Sequence, residues 1–379
     1  MSDAVVLFAE LNCENGKRIG VATLNSEKSL NALSLPMVEL LLPQMQAWKD
    51  NNDIAMVVLQ GAGDKAFCAG GDIRDLYHSM KEAPGTFQPY VTEFFTKEYT
   101  LDYLIHTFDK PVLVWGNGIV MGGGLGLMAG ASHRVVTGSS RIAMPEMAIG
   151  LYPDVGGSWF LNRMPAGCGL FLGLTGASIN AADAKHIDLA DYFIPHEQRQ
   201  KVLDALLTIR FGNTVALNHQ KLTDVLLHLE SQTLHQQPLS QIRLHQHSIS
   251  ALRSTESLSA AMAHIMAIPG DDSWLTKAKA SLQYGSPITA HIVYRLLQLG
   301  QSKILADSFR LELGLSVQCG KLGEFTEGVR ALLIDKDQQP NWQYASVDAV
   351  PETVINELFN SPWPADEHPL AALGKLSKH

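Results

Sequence analysis

Residues 111–132 carry no charged side chain. A run of that length could cross a bilayer, which needs about 20 apolar residues. It also holds seven glycines, Pro111 and Asn117, and backbone groups loosened by so many breakers would go unsatisfied in hydrocarbon. The segment therefore has to be interior structure of a water-soluble fold: a buried strand over 111–115, a glycine turn, and a short helix over Leu125–Ala131. With 379 residues, 46% hydrophobic and 18% charged, the chain can bury a large core.

The first half alternates strand-like and helical runs, the pattern of an α/β fold. Arg18–Leu24 and Ile54–Leu59 read as strands. Between them, Pro36 opens a run with Val38, Leu41, Leu42, Met45 and Trp48 at helical spacing. A second unit follows, with an amphipathic helix over Thr92–Phe108, the strand 111–115, the short helix, and a strand over Arg134–Val136. From about residue 198 the periodicity is helical: 202–211, 221–231, 258–266, 273–282 and 288–299. The expected domains are an α/β core over 1–200 and a helical region over 201–379.

A net charge of −9 argues against a general nucleic-acid surface. Four scattered cysteines without metal-ligand spacing (Cys13, Cys68, Cys168, Cys319) fit a reducing compartment, the cytoplasm by default. The start, Met1 to Glu10, has no basic leader and meets an acid early, so no export signal is expected. The tail through His379 is not a peroxisomal address. No metal and no membrane association is expected.

Two glycine turns follow strands: Phe67-Cys-Ala-Gly-Gly-Asp72 and Gly122-Gly-Gly-Leu-Gly126. Glycine lets the main chain approach a ligand, and amides at a helix entrance point at negative charge. Two such amides aimed at one carbonyl oxygen make an oxyanion hole. The stretch Gly124-Leu-Gly126-Leu-Met-Ala129 also matches a dinucleotide fingerprint, with Glu146 about twenty residues on. Its helix is short, however, and Glu146 follows Pro145 instead of closing a strand. Glu146 and Asp154 lie in an otherwise apolar segment, where desolvation raises a carboxyl pKa towards neutral acid–base work.

The chain resembles the crotonase (enoyl-CoA hydratase/isomerase) superfamily, in its 3-hydroxyisobutyryl-CoA hydrolase branch. The likeness is carried by Ser29-Leu-Asn-Ala-Leu33, Lys65-Ala-Phe-Cys-Ala-Gly-Gly-Asp-Ile-Arg74, Asn117-Gly-Ile-Val-Met-Gly-Gly-Gly-Leu-Gly-Leu127, Met144-Pro-Glu-Met-Ala-Ile-Gly-Leu-Tyr-Pro-Asp-Val-Gly-Gly157 and Glu327-Gly-Val-Arg-Ala-Leu-Leu-Ile-Asp-Lys-Asp337. It implies a crotonase-type ββα spiral core with a mainly helical C-terminal region. It places the oxyanion hole on the amides of Gly71 and Gly123, and the catalytic acid on Glu146. Asp154 is the acid that the hydrolase branch adds. Hydratases carry a second glutamate where Gly126 stands here. Glu98 matches an acid near the substrate; as a helix residue beside Lys97 it also reads as a surface carboxylate. The loop 68–74, with Asp72, Ile73 and Arg74, resembles the part that cradles CoA, Arg74 being a candidate phosphate contact. Lys28 and Lys336 are weaker candidates for that charge.

The resemblance implies hydrolysis of a short 3-hydroxyacyl-CoA thioester, 3-hydroxyisobutyryl-CoA first, as in valine breakdown. Coenzyme A is then part of the substrate and no separate cofactor is needed. An isomerase or hydratase of the same fold is the alternative, and a non-catalytic binding protein a third. Relatives form homo-oligomers through the helical region, which is longer here, so the oligomeric state is open.

Overall fold

The computed structural model describes residues 4–375. Met1–Asp3 and residues 376–379, on which the export and peroxisomal readings partly rest, lie outside the described residues. The chain forms two compact units from interleaved segments: residues 1–71, 104–142 and 179–244 make one, and 72–103, 143–178 and 245–379 the other. This partition differs from a division at residue 200.

The first unit holds a six-stranded sheet of β1 (Val6–Asn12), β2 (Arg18–Leu24), β3 (Ile54–Gly61), β5 (Val112–Gly116), β7 (His133–Val136) and β9 (Tyr192–Phe193), in that spatial order. A second sheet has the order β4 (Ala66–Cys68), β6 (Ile119–Met121) and β8 (Arg141–Ala143). β1 and β2 are antiparallel; β2–β3, β3–β5, β5–β7 and β7–β9 are parallel. β3 and β5 are almost wholly buried, as expected for parallel strands covered on both faces.

Alternation along β2 shows how the faces are used. Gly20 lies under the Trp48 ring of the helix Leu35–Asp50, where a Cβ would sit 2.6 Å from the ring. Trp48 Nε1–H donates to Glu10 at 2.9 Å. Ile19 and Val21 join a core with Met56, Val58, Leu113 and Trp115, together with Leu206 and Leu226. The last two belong to the helices Arg199–Leu207 and Val215–Ser231.

The second unit is helical. It contains Ile73–Glu82, the helix Pro89–His106 through Tyr103, Cys168–Thr175, Leu258–Ala267, Ser273–Tyr284, Pro287–Gly300, Leu305–Leu322 and Glu324–Val329. From Arg199 onward every regular element among the described residues is helical. Among them, no helix is long and apolar enough to cross a membrane. Residues 111–132 form β5, β6 and the helix Gly123–Ala129, most of them buried.

Candidate active site

In the sheet-bearing unit, Asn31 fixes the chain ahead of the first glycine turn. Its side-chain amide donates to Ala62 O and Ala66 O, both at 3.0 Å, and its Oδ1 accepts Ser26 N–H at 3.0 Å. Beyond β4, Ala69 N–H donates to Leu30 O at 3.1 Å and Leu33 N–H to Gly70 O at 2.7 Å. Gly71 forms an isolated parallel bridge with Leu33. The Ser29–Leu33 motif is thus the brace of the turn that presents Gly71.

The second turn lies against the first. Gly70, at φ 110°, would place a Cβ 3.3 Å from Met121 O. Gly122 adopts φ 49°, ψ −124° just before the helix Gly123–Ala129, a conformation closed to L side chains. A Cβ on Gly124 would collide with Cys68 O and stand 2.7 Å from Cys68 Cβ. Among the described residues, neither Gly71 N–H nor Gly123 N–H donates to a backbone carbonyl. The structure thus builds adjacent glycine turns in which these two amides have no backbone acceptor. The dinucleotide reading gains nothing: the helix has seven residues and Glu146 opens a 3₁₀ turn, Glu146–Ile149.

In the helical unit, that 3₁₀ turn is held by close backbone packing. Gly150, at φ 69°, lies on Glu324 O, and Gly328 lies on Ile149. Ser286 N–H donates to Met147 O at 3.1 Å. Arg330 binds Glu327 at 2.8 Å and both Asp335 and Asp337 at 2.7 Å. The Glu327–Asp337 motif is therefore a clamp around a buried turn. Lys336 within it is exposed, as is Lys28.

Six acids are buried in this unit: Glu324, which accepts the Ser286 hydroxyl and Gln343 N–H, and the five residues Glu98, Asp102, Glu146, Asp154 and Glu312. Glu98 is 1% exposed while Lys97 pairs with Glu93 at 2.6 Å, so the surface reading of Glu98 fails. Helical spacing turns Lys97 outward and Glu98 inward. Among the described residues none of the five forms an ion pair with lysine or arginine. Glu98 Oε1, Glu146 Oε2 and both Asp102 oxygens have no hydrogen-bond partner. Asp154 accepts the Tyr99 hydroxyl at 2.6 Å.

Burial dominates the electrostatics. It pushes Asp154 up to about 6, with the Tyr99 hydrogen bond opposing. Glu146 is held well above the carboxylate range by burial and then by the Asp154 charge. Glu98 is raised by the same two causes. Asp102 is raised by burial and then by Glu98. Glu312 is pushed up to about 8 by burial, opposed first by its bond to Ser158. Glu146 and Asp154 titrate as a coupled pair, in which a charge on Asp154 holds back the ionisation of Glu146. A carboxyl so raised is a strong base once ionised, suited to taking a proton from water.

Of the remaining sequence candidates, Asp72 caps the helix Ile73–Glu82 and accepts Arg74 N–H at 3.3 Å. Ile73 is half-buried and Arg74 exposed. Tyr99, Tyr152, Ser316, Asp102 and Glu312 escaped the sequence reading. An acid among the apolar positions Phe309, Leu313 and Leu315 of one helix was the available signal for Glu312.

Comparison with known proteins gives the family and the fold. Residues 19–359 match the enoyl-CoA hydratase/isomerase family. The chain is 36% identical over 363 residues to the mitochondrial 3-hydroxyisobutyryl-CoA hydrolase of Xenopus tropicalis, covering 95% of this chain and 90% of that one. It is 35% identical over 343 residues to the Homo sapiens protein of the same name, covering 90% and 86%. Among solved structures, a carnitinyl-CoA dehydratase from Mycobacterium thermoresistibile superposes with TM-score 0.83 at 30% identity, covering 98% of this chain and 100% of that one. An enoyl-CoA hydratase from Rhodobacter sphaeroides 2.4.1 gives 0.79 at 30% identity, covering 95% and 98%. With its parallel-rich sheet, braced glycine turns and helical C-terminal region, the chain has the crotonase fold and belongs to the enoyl-CoA hydratase/isomerase family.

Proposed function

We propose that this protein hydrolyses a short 3-hydroxyacyl-CoA thioester, 3-hydroxyisobutyryl-CoA first, to the free hydroxy acid and CoA, the step required in valine breakdown. The observation that carries the reading is the buried Glu146 and Asp154 pair, with Asp154 bound to Tyr99, in a chain similar nearly end to end to hydrolases of that name. The Gly71 and Gly123 amides polarise the thioester carbonyl and then stabilise the tetrahedral oxyanion. Glu146 acts as general base on water or as nucleophile through a mixed anhydride that water opens. Asp154, held by the Tyr99 hydroxyl, accepts the substrate's 3-hydroxyl. Glu98 lines the acyl side, and Asp72, Ile73 and Arg74 lie along CoA. CoA is substrate, and no separate cofactor or metal is invoked.

Each assigned residue precedes residue 200, so we assign thioester chemistry to 1–200 and a covering role to 201–379. The cytoplasm is the proposed location, resting on cysteine content; the relatives above are named mitochondrial. A second reading, a hydratase or isomerase of the same fold, is favoured by the likeness to the enoyl-CoA hydratase and the carnitinyl-CoA dehydratase. Against hydration stands Gly126, which offers no second carboxylate.

Thiol release from 3-hydroxyisobutyryl-CoA and from isobutyryl-CoA tests the assignment. Asp154→Ala should lower kcat/KM at least about tenfold more for the hydroxylated thioester, since a site built for a hydroxyl discriminates against its absence. Equal losses on both substrates would remove the hydroxyl role. No thiol release by the wild type would remove the hydrolase.

A further inference from the structure

Within the acid cluster, the carboxylate with the fullest set of donors has no assigned role. Glu312, fully buried on the helix Leu305–Leu322, accepts Gly156 N–H at 2.7 Å, Ser158 N–H at 2.9 Å and the Ser158 hydroxyl at 2.5 Å. All three donors belong to the turn that leaves Asp154. In that turn Val155 has φ 48° and Gly156 φ 87°. A β-branched residue takes the left-handed region only where its surroundings impose it. The turn is closed on its other side by Gly157 N–H donating to Asp154 O at 2.7 Å.

One helical turn beyond Glu312, the Ser316 hydroxyl meets Tyr99 OH at 2.7 Å and Tyr152 OH at 2.8 Å. Tyr99 donates to Asp154 Oδ2 at 2.6 Å, and Tyr152 to Glu312 O at 2.6 Å. Asp154 is therefore tied to one helix twice: its carboxylate through Tyr99 to Ser316, and its following backbone through the Glu312 carboxylate. Glu312 touches neither Glu146 nor Asp154 by any of these bonds, so it acts through the turn.

We propose that Glu312 is a positioning residue that holds the Asp154–Ser158 turn in its left-handed form, aims the Asp154 carboxylate, and so sets the preference for a 3-hydroxylated acyl group. The inference rests on the assignment of Asp154 to the substrate hydroxyl. A glutamine at 312 would turn an NH₂ donor towards Gly156 N–H or towards the Ser158 donors, replacing attraction by repulsion at almost constant shape. An aspartate would keep the acceptors on a shorter stem.

The readout is the ratio of kcat/KM for 3-hydroxyisobutyryl-CoA to that for isobutyryl-CoA. Glu312→Gln should lower the ratio about tenfold with little change for isobutyryl-CoA, and Glu312→Asp should recover part of it, as expected when one buried hydrogen-bonding group is misaligned. Asp154→Asn should lower the ratio as well, and the double variant Asp154→Asn/Glu312→Gln should lower it no further than Asp154→Asn alone. Equal losses on the two substrates in Glu312→Gln would make Glu312 a fold-supporting group only and overturn the inference. A wild-type ratio in a folded Glu312→Gln would do the same while leaving Asp154's role intact. An unchanged ratio in Asp154→Asn would overturn both. If Glu312→Gln does not fold, Ser158→Ala removes one donor alone, and should lower the ratio about two- to threefold; an unchanged ratio there again overturns the inference.

Discussion

The groups proposed for function in the sheet-bearing unit are backbone amides on residues without side chains, whereas those proposed in the helical unit are buried carboxyls that form no ion pair with lysine or arginine among the described residues. The first kind depends on chain shape: Gly122 must sit at φ 49° and Gly124 must touch Cys68. The second depends on surroundings: burial pushes Asp154 up to about 6 and Glu312 up to about 8, and holds Glu146, Glu98 and Asp102 well above the ordinary carboxylate range. Shape is lost by adding atoms, and electrostatic poise by changing charge. The two units should therefore fail differently when altered.

The largest effect expected is on rate. Glu146→Gln should lower kcat for thiol release by about 10² to 10⁴, the range of a positioned acid or base, with little loss of thermal midpoint, because Glu146 Oε2 has no partner to lose. A drop in midpoint with kcat retained would put Glu146 among the supporting groups. Gly124→Ala should behave in the opposite way, costing about 1–3 kcal/mol in chemical denaturation through overpacking against Cys68. Wild-type stability would mean that the close approach is not required.

Acidity sharpens the contrast further. kcat/KM should rise with pH on a limb displaced above the ordinary carboxylate range, as the raised Glu146 carboxyl gives up its proton; a limb at the ordinary carboxylate position, near pH 4, would detach that raised carboxyl from the chemistry. Stability should run the other way. Because the folded state keeps carboxyls protonated that the unfolded chain releases near pH 4, the unfolded state binds fewer protons above that pH and stability falls as pH rises. Asp102→Asn removes one such group, fully buried with both oxygens unpartnered. It should flatten that fall, leaving stability near pH 4 little changed and raising it progressively towards pH 8, as thermal midpoints across pH would record. The smallest effect is expected at the neighbour of Glu98: Lys97→Ala breaks an exposed pair with Glu93 and should cost about 0.5 kcal/mol or less.

Much of the fold was legible because its elements follow simple periods. The strand Arg18–Leu24, the helix opened by Pro36 and the helices at 258–267, 273–284 and 287–300 stand where apolar spacing placed them. The short strands β4, β6 and β8 were not legible, since three residues carry no period. Nor was the interleaving of the two units, because recruitment of 72–103 and 143–178 alongside 245–379 is a property of packing. At the site, glycines and acids announced themselves as unusual residues in apolar runs. Their partners did not: Tyr99 and Ser316 look like ordinary helix residues until Asp154 is found against Tyr99. Glu98 was ambiguous for the same reason, since only packing turns it inward.

The central claim is that this crotonase fold works as a thioester hydrolase, its acids serving water attack on the carbonyl and not water addition to a double bond. The most direct test follows free thiol from 3-hydroxyisobutyryl-CoA and hydration of crotonyl-CoA side by side with one preparation of the wild-type protein. The account predicts ready thiol release and hydration slower by at least about 10²-fold, the contribution of the carboxylate missing at Gly126. Hydration without thiol release would contradict it.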